Sequence, residues 1–114
     1  MGMAVLARRP RLIDARLQTL YAPPQEALTS DGRAVRVTAE VAYRVADPRK
    51  TLRQVENYRW ALEMLLKGTI AAVVGGRERA ALGDLRALRS SVLYSLRAHC
   101  SSWGLQVFRV DLRF

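Results

Sequence analysis

The sequence predicts an α+β domain: a mainly antiparallel sheet, helices packed on one face of it, and a closing C-terminal strand. Three observations carry that expectation. Apolar residues alternate strictly from Val35 to Val45, the mark of a half-buried strand. Two later segments, Tyr58 to Val73 and Leu82 to His99, repeat their apolar residues at helical spacing. Alternation then returns between Leu105 and Phe114. Strands, then helices, then one more strand describe a layer of helices on a sheet.

Each element has a local reason. From Arg11 to Tyr21, Leu12, Ile13, Leu17, Leu20 and Tyr21 stand among polar residues and predict a first strand. Pro23-Pro24 is expected to end it, because a proline has no N–H to give to a ladder. Gln25 to Thr29 is short and extended, and Ser30-Asp31-Gly32 supplies the residues a hairpin turn requires. In the next strand Val35, Val37, Ala39, Val41, Tyr43 and Val45 share one face, with Arg36, Thr38, Glu40 and Arg44 on the other.

Asp47-Pro48 starts a short helix to about Val55, with an oxygen acceptor at the cap and a proline where no N–H is needed. From Tyr58 the stripe Leu62, Leu65, Leu66, Thr69, Ile70 and Val73 predicts a second helix, with Arg59, Glu63 and Lys67 opposite. Gly75-Gly76 is expected to stop it as a glycine cap. A third helix is expected from Leu82 to His99, with Leu85, Leu88, Val92 and Leu96 inward and Arg86, Arg89 and Arg97 on the far side. In the last strand Leu105 and Val107 keep one phase, and Val110, Leu112 and Phe114 keep the other. That slip predicts a β-bulge near Phe108 and Arg109. Residues 1–10 read as a loosely attached arm or a cloning remnant, and 11–114 as one core domain.

Composition bounds the function. The 114 residues are 50% hydrophobic and 25% charged, enough for one core and too apolar for a collagen-like or disordered chain. No uncharged apolar run approaches the roughly 20 residues of a membrane-spanning helix. Cys100 is the single cysteine, so no internal disulfide or multi-cysteine zinc site can form, and a reducing compartment is expected. The net charge of +9 comes almost wholly from arginine. It reads either as attraction to an anionic surface or as the coding bias of a genome.

Little in the sequence points to catalysis. His99 is the one histidine and reads as a structural or helix-capping residue. Cys100 reads as a small buried hydrophobe, since neighbours on a helix point about 100° apart and do not converge. No glycine-rich phosphate loop is present, and Glu56 and Glu63 are expected to pair with arginines such as Arg53 and Arg59 in solvent. Neither a cofactor nor a metal is expected. Arg86, Arg89 and Arg97 are the candidate contacts to an anionic surface, against the plainer reading of a solvated helix flank. A basic nucleic-acid-binding module is the alternative, weakened because Trp60, Trp103 and the tyrosines make no stacking array. A hydrolase using Cys100 and His99 is a third reading.

The ordered residues resemble a known family. Asp14-Ala15-Arg16-Leu17-Gln18-Thr19-Leu20, leading into Pro23-Pro24-Gln25-Glu26-Ala27-Leu28-Thr29-Ser30-Asp31-Gly32, is similar to the opening of the stomatin/prohibitin (SPFH, or band 7) domain. Val35 to Val45, Asp47-Pro48, Val55-Glu56-Asn57-Tyr58 and Trp103 to Val110 continue the resemblance, which covers about residues 11–114. It implies a stomatin-like, non-catalytic, membrane-associated scaffold on the cytoplasmic side. Such a scaffold forms homo-oligomers and organises membrane proteins or lipid microdomains. It further implies a membrane surface or membrane proteins as partners, no nucleic acid, and, as in prokaryotic members, coupling to an NfeD-type partner and a membrane protease. Members usually carry a hydrophobic segment before this domain and a coiled coil after it, so the chain reads as an excised core, which the Met1-Gly2-Met3 start favours, or as an atypical short homologue. One departure is local: from Arg77 to Trp103 the acidic residues are Glu78 and Asp84 alone, whereas the family's third helix is rich in them.

Overall fold

The alternating row of the hairpin's second strand fixes the architecture, because it has to be buried on one side. The computed structural model describes residues 16–54 and 57–114. Their elements are β1 (Gln18–Leu28), β2 (Ala34–Val45), α1 (Pro48–Gln54), α2 (Tyr58–Gly75), a 3₁₀ turn (Arg79–Gly83), α3 (Leu85–Cys100), a second 3₁₀ turn (Ser101–Trp103) and β3 (Leu105–Arg113). The sheet order is β1-β2-β3 with both pairings antiparallel, so β2 is central. Val35, Val37, Ala39, Val41, Tyr43 and Val45 are all buried. They meet Leu62, Leu66, Ile70 and Val74 of α2 and Leu88, Val92, Leu96 and Cys100 of α3 in one core. The α+β layer expected from the sequence is the fold.

The turn is built as its residues require. Gly32 has φ 80°, and Thr29 closes the loop by exchanging backbone hydrogen bonds with Arg33 and Gly32. Asp31 Oδ1 accepts from the Thr29 hydroxyl and, at 3.1 Å, from the Arg79 backbone N–H, which ties the hairpin tip to the first 3₁₀ turn. The Thr29 bond, more than the others, holds the Asp31 carboxyl below its usual range.

Two boundaries differ from the expectation. β1 does not end at Pro23-Pro24 but runs through them, and its register slips between Ala22 and Gln25 so that both prolines face Thr38 alone. The physical reason is position: β1 is an edge strand, where a bulge can hold residues without a donor. Its expected start at Arg11 lies outside the described residues, as do the arm 1–10, Val55 and Glu56. α2 ends at Gly75 with Gly76 as its cap, as expected, although Gly76 has φ −90° and not a left-handed value; the Gly76 and Arg77 N–H groups close back on Ala72 and Val74. α3 begins at Leu85 rather than Leu82, because Asp84 caps it by accepting from the Ala87 N–H at 3.1 Å. Leu82 is buried from the preceding 3₁₀ turn instead.

The expected bulge in β3 is present. Ala42 pairs with Arg109 and Tyr43 with Val107, leaving Phe108 unopposed. Leu105 and Val107 before it and Val110 and Leu112 after it are all buried.

The joint between α1 and β3 depends on one glycine. Gly104 has φ 77°, and a Cβ there would stand 2.5 Å from the Asp47 carbonyl and 2.8 Å from Thr51 Oγ1. Its own carbonyl accepts from Ala46 and Asp47, and the buried Thr51 hydroxyl donates to the Trp103 carbonyl at 2.6 Å. Gly104→Ala should therefore lower the unfolding free energy by about 3 kcal/mol, combining left-handed strain with a steric clash. Gly32→Ala, with an equally positive φ but open space around it, should lose only about 1 kcal/mol. Urea midpoints of the two variants check the difference.

Candidate interaction surface

The polar side chains of the domain are used mainly as locks. At one end of β2, Arg59 of α2 donates to the Tyr43 hydroxyl at 2.7 Å and to Gln18 Oε1 at 3.1 Å, with its guanidinium 5.9 Å from the Tyr43 ring centre. Tyr58 packs edge-on against the same ring at 6.4 Å. Burial pushes the Tyr43 phenol above its usual range, and the Arg59 charge opposes that shift. The solvated pairing of Arg59 with a carboxylate, expected from spacing, gives way to this cluster. The reason is that a buried phenol needs a hydrogen-bond partner and Arg59 is placed to supply one.

Arg77 clasps the end of α2 to α3, donating to the Val73 carbonyl at 3.2 Å and to Ser91 Oγ at 2.9 Å. Gln25, directly after the proline bulge, donates to the Lys67 carbonyl at 3.1 Å and fixes β1 to α2.

The three candidate arginines of α3 share a face but not a role. Counted at 100° per residue, Arg97 lies 20° and Arg89 60° from Arg86 around the helix. Arg86 is exposed and Arg89 half-buried, and neither has an ion-pair partner among the described residues. Arg97 is also exposed, yet its Nε donates to the Val107 carbonyl at 2.9 Å, at the β3 bulge. Sequence spacing places the three side by side; it carries no sign of the Arg97 anchor, which exists only because β3 returns beside α3.

The catalytic readings find no geometry. Cys100 is fully buried, while His99 is exposed with Nδ1 3.0 Å from the Ser95 carbonyl. The two side chains point to different environments and form no dyad. Among the described residues no group of three or more His, Cys, Asp and Glu could hold a metal ion, and no helix is long and apolar enough to cross a membrane. What the molecule presents is surface: a sheet face left free of helices, two bulged edges, and a basic helix flank. Large apolar side chains stand out on it, with Tyr21 70% and Tyr94 79% exposed.

Residues 4–113 match the SPFH domain / Band 7 family, and the chain belongs to that family. A stomatin homologue of Pyrococcus horikoshii is 34% identical over 106 residues, 90% of this chain and 39% of the relative. An uncharacterised protein of Methanocaldococcus jannaschii is 32% identical over 105 residues, 91% of this chain and 53% of the relative. Stomatin-2 of Caenorhabditis elegans is 30% identical over 102 residues, 89% of this chain and 27% of the relative. The chain thus spans about half the length of these relatives or less, and it is stomatin-like over nearly all of its own.

Burial pushes the Cys100 thiol from 9.0 up to about 12. The folded state then holds a proton that the unfolded state releases, so stability should fall as pH rises from about 9 towards about 12. A water-soluble thiol reagent at pH 8 should leave the native protein unlabelled and modify Cys100 only on addition of denaturant, read by mass spectrometry.

Proposed function

We propose that this domain is a non-catalytic scaffold module that lies against the cytoplasmic face of a membrane and associates with copies of itself. There it organises membrane proteins or lipid microdomains. The observation that carries the reading is the family match over residues 4–113, joined to relatives that bear the name stomatin. The surface supports it physically. Arg86 and Arg89 stand on one flank without acidic partners among the described residues. Near an anionic leaflet each such charge contributes about 1 kcal/mol, attenuated by salt.

Association with further copies needs complementary faces more than a pocket. The helix-free sheet face supplies both signs: Glu40 and Asp111 are cross-strand partners, flanked along β3 by Arg109 and Arg113. Asp111 already pairs with Arg109 at 3.2 Å. An NfeD-type partner and a membrane protease belong to the same reading, as the kind of assembly that such a scaffold would organise.

Two measurements on the chain test this. Light scattering over a concentration series should show a mass that rises above the monomer. Sedimentation with vesicles should show binding to anionic but not neutral lipid, weakening as salt is added. A monomer at every concentration that ignores both vesicles overturns the reading. Binding to generic RNA or DNA in preference to anionic vesicles would replace it with the nucleic-acid alternative.

A further inference from the structure

Where α1 begins, α3 ends and β3 starts, the surface opens into a cleft of about 410 Å³. Its polar and aromatic rim consists of Asp47, Lys50, Arg97, Ser101, Gln106 and Phe108. That volume lies within the range of small-ligand sites.

The charges in the cleft are unbalanced. Arg97 is held in place by its Nε bond to the Val107 carbonyl, and its terminal nitrogens have no partner among the described residues. The Lys50 ammonium has none there either. Asp47 is the one carboxylate on the rim, and its Oδ1 accepts from the Lys50 backbone N–H as the cap of α1. Two cations therefore face one acid. Beside them stands Phe108, the unopposed residue of the bulge, 41% exposed.

A pair of free cations next to an outward apolar ring matches a surface in which a layer of anions overlies hydrocarbon. We propose that this cleft seats the phosphate of an anionic phospholipid headgroup between Lys50 and Arg97, with Phe108 entering the interfacial layer alongside. This rests on the membrane-association reading and narrows it from a diffuse basic flank to one pocket. The bulge is central to the arrangement, because it places the Val107 carbonyl under Arg97 and Phe108 at the cleft mouth in a single irregularity.

The test compares two charge reversals of equal size. Lys50→Glu and Arg86→Glu change the net charge alike, so a diffuse attraction treats them alike. Binding to phosphatidylcholine vesicles with and without phosphatidylglycerol is measured by sedimentation, with thermal melting to show that each variant is folded. Lys50→Glu should weaken binding to the anionic vesicles about tenfold more than Arg86→Glu does. Phe108→Ser should weaken it without changing the salt dependence. In the unmodified chain, glycerophosphate should shift the backbone amide signals of residues 104–108.

Equal losses for Lys50→Glu and Arg86→Glu overturn the cleft while leaving membrane association standing. Absence of binding to either vesicle by the unmodified chain overturns both. If inorganic phosphate shifts those amides but vesicle binding ignores Lys50→Glu, the site is one for free phosphate and the lipid proposal fails. Competition by an acidic peptide, with vesicle binding insensitive to Lys50→Glu, overturns it in favour of a protein ligand.

Discussion

The constraint on which the rest of the structure depends is phase: three strands of different composition must all turn their apolar residues to the same side. β2 meets it by strict alternation, with six inward residues buried in succession. The two edge strands meet it only by inserting one extra residue each. In β1 the pair Pro23-Pro24 opposes Thr38 alone, and in β3 Phe108 opposes nothing. Without these slips Ala27 on one edge, and Val110 and Leu112 on the other, would face solvent, since a one-residue shift turns a strand over. The cover supplied by α2 and α3 would then have half a sheet to rest on.

The same irregularities shape the outer surface. An edge strand with exposed backbone groups is a template for indiscriminate pairing. Here one edge carries two prolines without donors, and on the other the Arg97 guanidinium is bonded to the Val107 carbonyl. Both devices interrupt a continuous ladder, so association through the edges is confined to short stretches of strand. This disfavours open-ended strand addition and leaves faces and clefts as the accessible surfaces. The outer surface and the core are thus set by the same two residue insertions.

Much of the fold was legible because it rests on local patterns. The β2 row, the Ser30-Asp31-Gly32 turn, the cap at Asp47, and the β3 bulge each follow from neighbours in sequence. What was not legible depends on tertiary placement. Two prolines argue against a strand unless that strand is known to lie at an edge, and the sequence does not say so. Leu82 fits the helical stripe by spacing, but the Asp84 cap restarts the backbone after it. Gly75-Gly76 does stop α2, but that Gly76 keeps a negative φ and that the Arg77 side chain adds a closing contact is set by the surrounding structure. Arg59 and Arg97 were readable as charges; their partners, the Tyr43 hydroxyl and the Val107 carbonyl, are brought to them by strands distant in sequence.

These arginines fall into two groups. Arg59, Arg77 and Arg97 donate to neutral oxygens over distances of 2.7–3.2 Å, several in partly buried settings. Their bonds are directional and short-range, and salt at physiological strength screens such contacts weakly. Arg86 and Arg89 act only through their field, which decays over a Debye length of about 8 Å at that strength. The field of these charges can therefore be strengthened or screened by ionic conditions without loosening the fold. Arg97 belongs to both groups, one nitrogen fixed to the sheet and the others turned to the cleft, and so couples the surface charge to a rigid position on the frame.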